Sequence, residues 1–113
     1  MLTIAELPEF SRRSSKLLTE NELQTLYTYL ASHPKAGVLI EGTGGIRKVR
    51  WQRGHQGKNS GVRVIYYFYN EHIALYLLTL FAKSDRDNLT QSDRNELAAL
   101  VTILKKSWKG AQH

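Results

Sequence analysis

The chain has no cysteine among its 113 residues. Neither a disulfide framework nor a thiolate zinc site can form, and the composition fits a reducing cytoplasm. Proline occurs only at Pro8 and Pro34, both at expected helix boundaries. Long hydrophobic runs are missing. The most apolar stretch, residues 73–81, contains Tyr76 and Thr79 and falls far short of the ~20 residues that span a bilayer. The opening Met-Leu-Thr-Ile-Ala-Glu-Leu-Pro lacks the basic region and apolar core of a signal peptide, so no membrane partner is expected.

The most informative absence is local. Residues 42–70 contain no Asp or Glu, yet they carry Arg47, Lys48, Arg50, Arg53, Lys58 and Arg63. Overall, 16 Lys+Arg stand against 10 Asp+Glu, a net charge of +6. All of the excess positive charge therefore sits in this one segment, and the rest of the chain is neutral. Such segregation points to a polyanionic partner, nucleic acid first. The length suits one domain, 1–113, with 42% hydrophobic residues to supply a core.

Periodicity gives the elements. Residues 2–7 alternate weakly and suit a short strand. Residues 8–18 suit a short helix with Phe10 and Leu17 on one side. Thr19 followed by Glu22 is a capping box. Leu23, Leu26, Tyr27 and Leu30 then form one helical stripe, which Pro34 ends. His33 at that end suits a surface or capping role better than catalysis. Gly42-Thr43-Gly44-Gly45 lacks the Gly-Lys-Ser/Thr and the following helix of a P-loop, so it reads as a tight entry into a strand. Residues 46–51 are that strand, with Val49 and Trp51 on one face and Lys48 and Arg50 on the other. After a polar loop, residues 62–69 form a second strand. Val62, Val64, Tyr66 and Phe68 share one of its faces, and Arg63, Ile65, Tyr67 and Tyr69 the other. Asn70-Glu71 reads as a tight hairpin turn, and residues 73–82 as a third, central strand. Thr90 and Asp93 open a last helix whose stripe is Leu97, Leu100, Val101, Leu104 and Trp108. Lys105, Lys106 and Lys109 close it, where the helix dipole favours cations.

The expected fold is α+β: a small antiparallel sheet with two N-terminal helices and one C-terminal helix, in the order β-α-α-β-β-β-α. Helices on one face would leave the other partly open. A basic open face beside Tyr67 suits an RNA backbone, which makes Arg47, Arg53, Lys58 and Tyr67 candidate RNA contacts. The bulk of Tyr66, Tyr67 and Trp51 also suits packing.

Three blocks carry a family resemblance. They are Gly42-Thr43-Gly44-Gly45-Ile46-Arg47-Lys48-Val49-Arg50, Gly61-Val62-Arg63-Val64-Ile65-Tyr66-Tyr67-Phe68, and Tyr76-Leu77-Leu78-Thr79 running to Ala82-Lys83. With the Asn88-Leu89-Thr90 helix entry, they resemble the RelE/HigB superfamily of toxins from type II toxin–antitoxin systems, and its HigB-like branch most. The resemblance spans roughly residues 20–108. It implies a RelE-like fold and a ribosome-dependent mRNA interferase that needs neither metal nor cofactor. It also implies a cognate antitoxin with a HigA-like helix-turn-helix. Operator DNA would then be bound only through the antitoxin complex.

The implied chemistry is attack of a ribose 2′-OH on the adjacent phosphate. It needs a base, cations for the dianionic transition state, and an acid for the leaving 5′-oxygen. A lysine serves as base only in its neutral form, which crowding by other cations favours. Lys48, near Arg47, Arg50 and Arg63, has that crowding. On the resemblance, Lys48 and Arg50 take the family's two basic strand positions, and Arg63 takes the arginine that grips the scissile phosphate. Lys83 takes the lysine ending the third strand. Many relatives have arginine after that lysine and a C-terminal tyrosine. Here Ser84 follows Lys83, and no tyrosine lies beyond Tyr76. The general acid stays open among Lys83, Arg86 and His55. A gyrase-poisoning toxin of the ParE type and a non-enzymatic nucleic-acid-binding module are the alternatives.

Overall fold

In the computed structural model, residues 2–52, 61–86 and 88–111 are described, the last four without their side chains. The elements are β1 (Ile4–Glu6), α1 (Pro8–Leu17), α2 (Glu20–Ser32), β2 (Val38–Leu39), β3 (Ile46–Trp51), β4 (Val62–Tyr67), β5 (Leu75–Ala82) and α3 (Gln91–Ala111). They form one five-stranded sheet, ordered β1-β5-β4-β3-β2, with three helices. The class is α+β, consistent with a RelE-like fold.

Local chemistry explains the boundaries. Thr19 Oγ1 accepts from the Glu22 amide at 3.1 Å while Glu22 Oε1 accepts from the Thr19 amide at 2.8 Å, which starts α2. Thr90 and Asp93 make the same reciprocal pair before α3, at 2.9 and 3.0 Å. Gly42, Gly44 and Gly45 hold φ of 78°, 76° and 115°, a run of left-handed turns that L side chains resist. Thr43 locks this turn: its hydroxyl donates to Ile40 O at 2.6 Å and accepts from the Ile46 amide at 3.2 Å. The glycine run is thus the entry to β3, as its sequence suggested.

Four expectations need correction. The sheet is mixed, because β1 runs parallel to β5, pairing Ile4 with Leu75. A two-residue strand, β2, pairs antiparallel with β3 and was not expected. The link from β4 to β5 is longer than a tight hairpin. It turns at Asn70, whose side chain accepts from the His72 and Ile73 amides at 2.8 and 3.1 Å.

The fourth correction concerns the faces. One face of the sheet packs Val62, Val64, Tyr66, Leu75, Leu77 and Leu80 against Phe10, Leu18, Leu26 and Leu30 from the first two helices and the residue after α1. The other face is not open. Ile46, Ile65, Tyr67, Leu78 and Phe81 pack with Val101, and Leu97, Leu100 and Leu104 lie against them. Apolar residues on both faces of β4 and β5 require cover on both sides, and α3 supplies the second. A register shift between Ile65 and Tyr66 pairs Tyr66 with Leu77 but Ile65 with Thr79. The extra residue in β5 lets Leu75, Leu77 and Leu80 share one face, which strict alternation forbids.

Tyr66 ties the sheet to the segment after α2. Its buried hydroxyl donates to Pro34 O at 2.8 Å and accepts from the Gly37 amide at 2.9 Å. Burial holds this phenol above its ordinary pKa, so it stays a donor at physiological pH. Gly37 is required there, since a Cβ would lie 2.9 Å from the Tyr66 ring and hydroxyl. Removing the hydroxyl orphans a part-buried carbonyl and a buried amide. Tyr66→Phe is expected to lower unfolding free energy by about 1–3 kcal/mol in urea titration.

Candidate active site

β3 and β4 bring the basic residues together through register. Arg50 pairs with Arg63, and Arg63 pairs in turn with Phe81 of β5. Two residues along, Lys48 pairs with Ile65 and Ile65 with Thr79. Alternation puts Lys48, Arg50 and Arg63 on the α3 face. Exposure differs sharply: Arg50 is exposed, Lys48 is half-buried and Arg63 is only 4% exposed.

The connector between β5 and α3 bounds this cluster. Lys83 follows the last strand residue and is half-buried; its amide donates to Gly61 O at 3.0 Å, beside the entry to β4. The amides of Asp85 and Arg86 both reach Ala82 O, which closes the turn. The Arg86 guanidinium lies over the Phe81 ring, 5.3 Å from its centroid, and donates to Asp93 Oδ2 at 2.6 Å. Asn88 Oδ1 accepts a hydrogen bond from Lys48 Nζ at 3.1 Å. Asn88 is the site residue that sequence reasoning missed. It was quoted only as part of a helix entry, and nothing local links it to a lysine 40 positions away.

Other candidates lie elsewhere. Arg47 is on the opposite face from Lys48. Its guanidinium donates to Lys35 O at 3.3 Å and Gly37 O at 2.8 Å, holding the same segment as Tyr66. Tyr67 lies in the sheet at 2% exposure, packed in the cluster under α3. Arg53, Lys58 and His55 fall outside the described residues. Among the described residues, Arg50 and Arg63 share the face of Lys48, and Arg47 does not. Among the described residues, no group of three or more His, Asp and Glu side chains is placed to hold a metal ion. No described helix is long and apolar enough to cross a membrane.

Directly opposed cations on neighbouring strands are an unfavourable pairing in a sheet. It concentrates positive potential at one end of a sheet, beside a half-buried amine. Fold and site together define a small α+β protein with Lys48, Arg50 and Arg63 on one face of its sheet. Residues 11–111 match the family model described as the RelE toxin of the RelE/RelB toxin–antitoxin system. The chain belongs to the RelE toxin family, and is thus a toxin of a toxin–antitoxin system.

The cap of α3 predicts a pH response. Asp93 is held below its ordinary pKa, first by the Thr90 amide, with help from the Thr90 hydroxyl and Arg86 and against a desolvation penalty. A lowered native pKa favours the folded state wherever the carboxylate is ionised. That stabilisation is complete above the unfolded value near ~4 and is lost as pH falls through the lower native value. Asp93→Asn should cost about 1 kcal/mol at pH 7. Urea melts of both proteins at pH 7 and pH 3 should show the gap narrowing in acid.

Proposed function

We propose that this toxin is a ribosome-dependent mRNA endoribonuclease. The observation that carries the reading is the register placing exposed Arg50 opposite buried Arg63, two residues from Lys48 with its Asn88 bond. Family membership supports RNA cleavage, which is general among RelE toxins. The resemblance of the blocks at residues 42–50 and 61–68 supports a HigB-like branch.

The reaction balances without an added reagent. Lys48, in its neutral form, takes the proton of the 2′-OH as that oxygen attacks the adjacent phosphorus. The P–O5′ bond breaks. A protonated lysine, Lys83, gives its proton to the departing 5′-oxygen. The products are a 2′,3′-cyclic phosphate and a 5′-OH. Arg50 meets the phosphate from the solvent side, and Arg63 supplies fixed charge from within. A desolvated guanidinium interacts with developing negative charge more strongly than one in water. Asn88 orients the Lys48 amine. Arg86 is engaged by Asp93, and in this reading Lys83 serves as the acid.

Such an enzyme must be restrained in its host. A cognate antitoxin, HigA-like with a helix-turn-helix, would cover the basic end. Operator DNA would be bound through that complex. The substrate is mRNA on the ribosome, which sets the place of action in the cytoplasm.

The test separates chemistry from affinity. Cleavage of ribosome-bound mRNA and co-sedimentation with ribosomes are measured for wild type, Lys48→Ala, Arg50→Ala and Asn88→Ala. Lys48→Ala should lose roughly 10²–10⁴-fold in cleavage rate while ribosome binding changes less than about tenfold. Arg50→Ala should lose cleavage yet melt no lower than wild type, because it relieves a like-charge pair. Asn88→Ala should reduce the rate with ribosome binding little changed. Binding and cleavage falling in step with each charge removed would instead mark a nucleic-acid-binding module.

A further inference from the structure

Three rings on the other side of the basic strand form a ladder that the proposed chemistry does not use. Tyr29 and His33 are one turn apart on α2 and its cap, with centroids 5.0 Å apart and planes within 25°. Trp51 continues the row, 5.3 Å from Tyr29 at 42°. His33 is exposed and Tyr29 is 37% exposed, while Trp51 leans on the core below.

The ladder's position ties it to the site. Trp51 directly follows Arg50 in β3 and points to the opposite face. The short β2 pairs only with Arg47 and Lys48, so residues 49–51 have no outer partner among the described residues. Arg50 and Trp51 are thus separated by the thickness of one strand. A chain crossing that edge would pass from the cations onto the rings. The Arg47 guanidinium fixes Lys35 and Gly37, which holds the segment directly after His33.

The charge around the ladder selects the occupant. Residues 23–70 contain a single acid, Glu41, against Lys35, Arg47, Lys48, Arg50, Arg53, Lys58 and Arg63. Planar rings in a nearly acid-free, basic setting suit an anionic chain that carries flat bases.

We propose that Tyr29, His33 and Trp51 are a stacking subsite for one unpaired base of the substrate RNA, close to the cleaved bond. The subsite rests on the endoribonuclease reading and adds to it a position at which the RNA is held. An aromatic ring accepts any base face, so the subsite fixes register and strand path without selecting sequence.

The test uses mRNA on ribosomes, with the cleaved position blocked by 2′-O-methylation and 5-iodouridine placed at successive flanking positions. Irradiation followed by mass spectrometry should map a cross-link to Tyr29 or His33 from one flanking position. Tyr29→Ala should abolish that cross-link, and Tyr29→Phe should keep it. On unblocked mRNA, Tyr29→Ala should raise KM roughly 5- to 150-fold with kcat little changed, and Tyr29→Phe should behave as wild type. Cross-links only to other peptides, or a Tyr29→Ala protein with unchanged KM, would overturn the subsite while leaving the endoribonuclease intact. A wild-type protein that leaves unblocked mRNA whole would overturn both.

Discussion

The pairing of β3 with β4 is the constraint on which the rest depends. It sets Arg50 against Arg63 across two hydrogen-bonded strands, a like-charge pairing that the surrounding structure has to accommodate. Each neighbouring feature fixes that register. The glycine turn and Thr43 launch β3 at one residue and not the next. Tyr66 and Arg47, cross-strand partners on the far face, both anchor the segment that leads into β2. The packing of α3 on Ile65, Tyr67 and Phe81 holds the near face flat. A slip of one residue would exchange the two faces and send Lys48 and Arg50 into the core against α2.

The third helix has a double role. Its apolar stripe covers the middle of the second face, and the connector before it brings Lys83, Arg86 and Asn88 to the end where the arginines meet. Arg50 keeps its exposure there, while Arg63 is buried.

Much of this was legible in the residues. Alternation at Lys48, Val49, Arg50 and Trp51 told the two faces of β3 apart, and the same pattern in β4 put Arg63 with Ile65. Both reciprocal caps were visible as Thr-x-x-acid spacings. What escaped has physical reasons. β2 is two residues long and has no period to detect. The register shift in β5 hides inside a continuous apolar run, where one extra residue changes nothing in composition. The open-face expectation underweighted Ile65, Tyr67, Leu78 and Phe81, whose cover only α3 could provide. Arg47 looked like its basic neighbours because its partners are backbone carbonyls 10 and 12 residues away. The burial of Arg63 and the bond from Lys48 to Asn88 are tertiary facts, absent from any local window.

The central claim is that the basic end of this sheet cuts RNA by 2′-OH attack. The most direct measurement is the chemistry of the cut ends in a purified translation reaction supplied with this protein and a defined mRNA. The account predicts fragments that appear only when ribosomes occupy the message, with 2′,3′-cyclic phosphate on one side and 5′-OH on the other. Intact mRNA, or fragments carrying 3′-OH and 5′-phosphate ends, would contradict it.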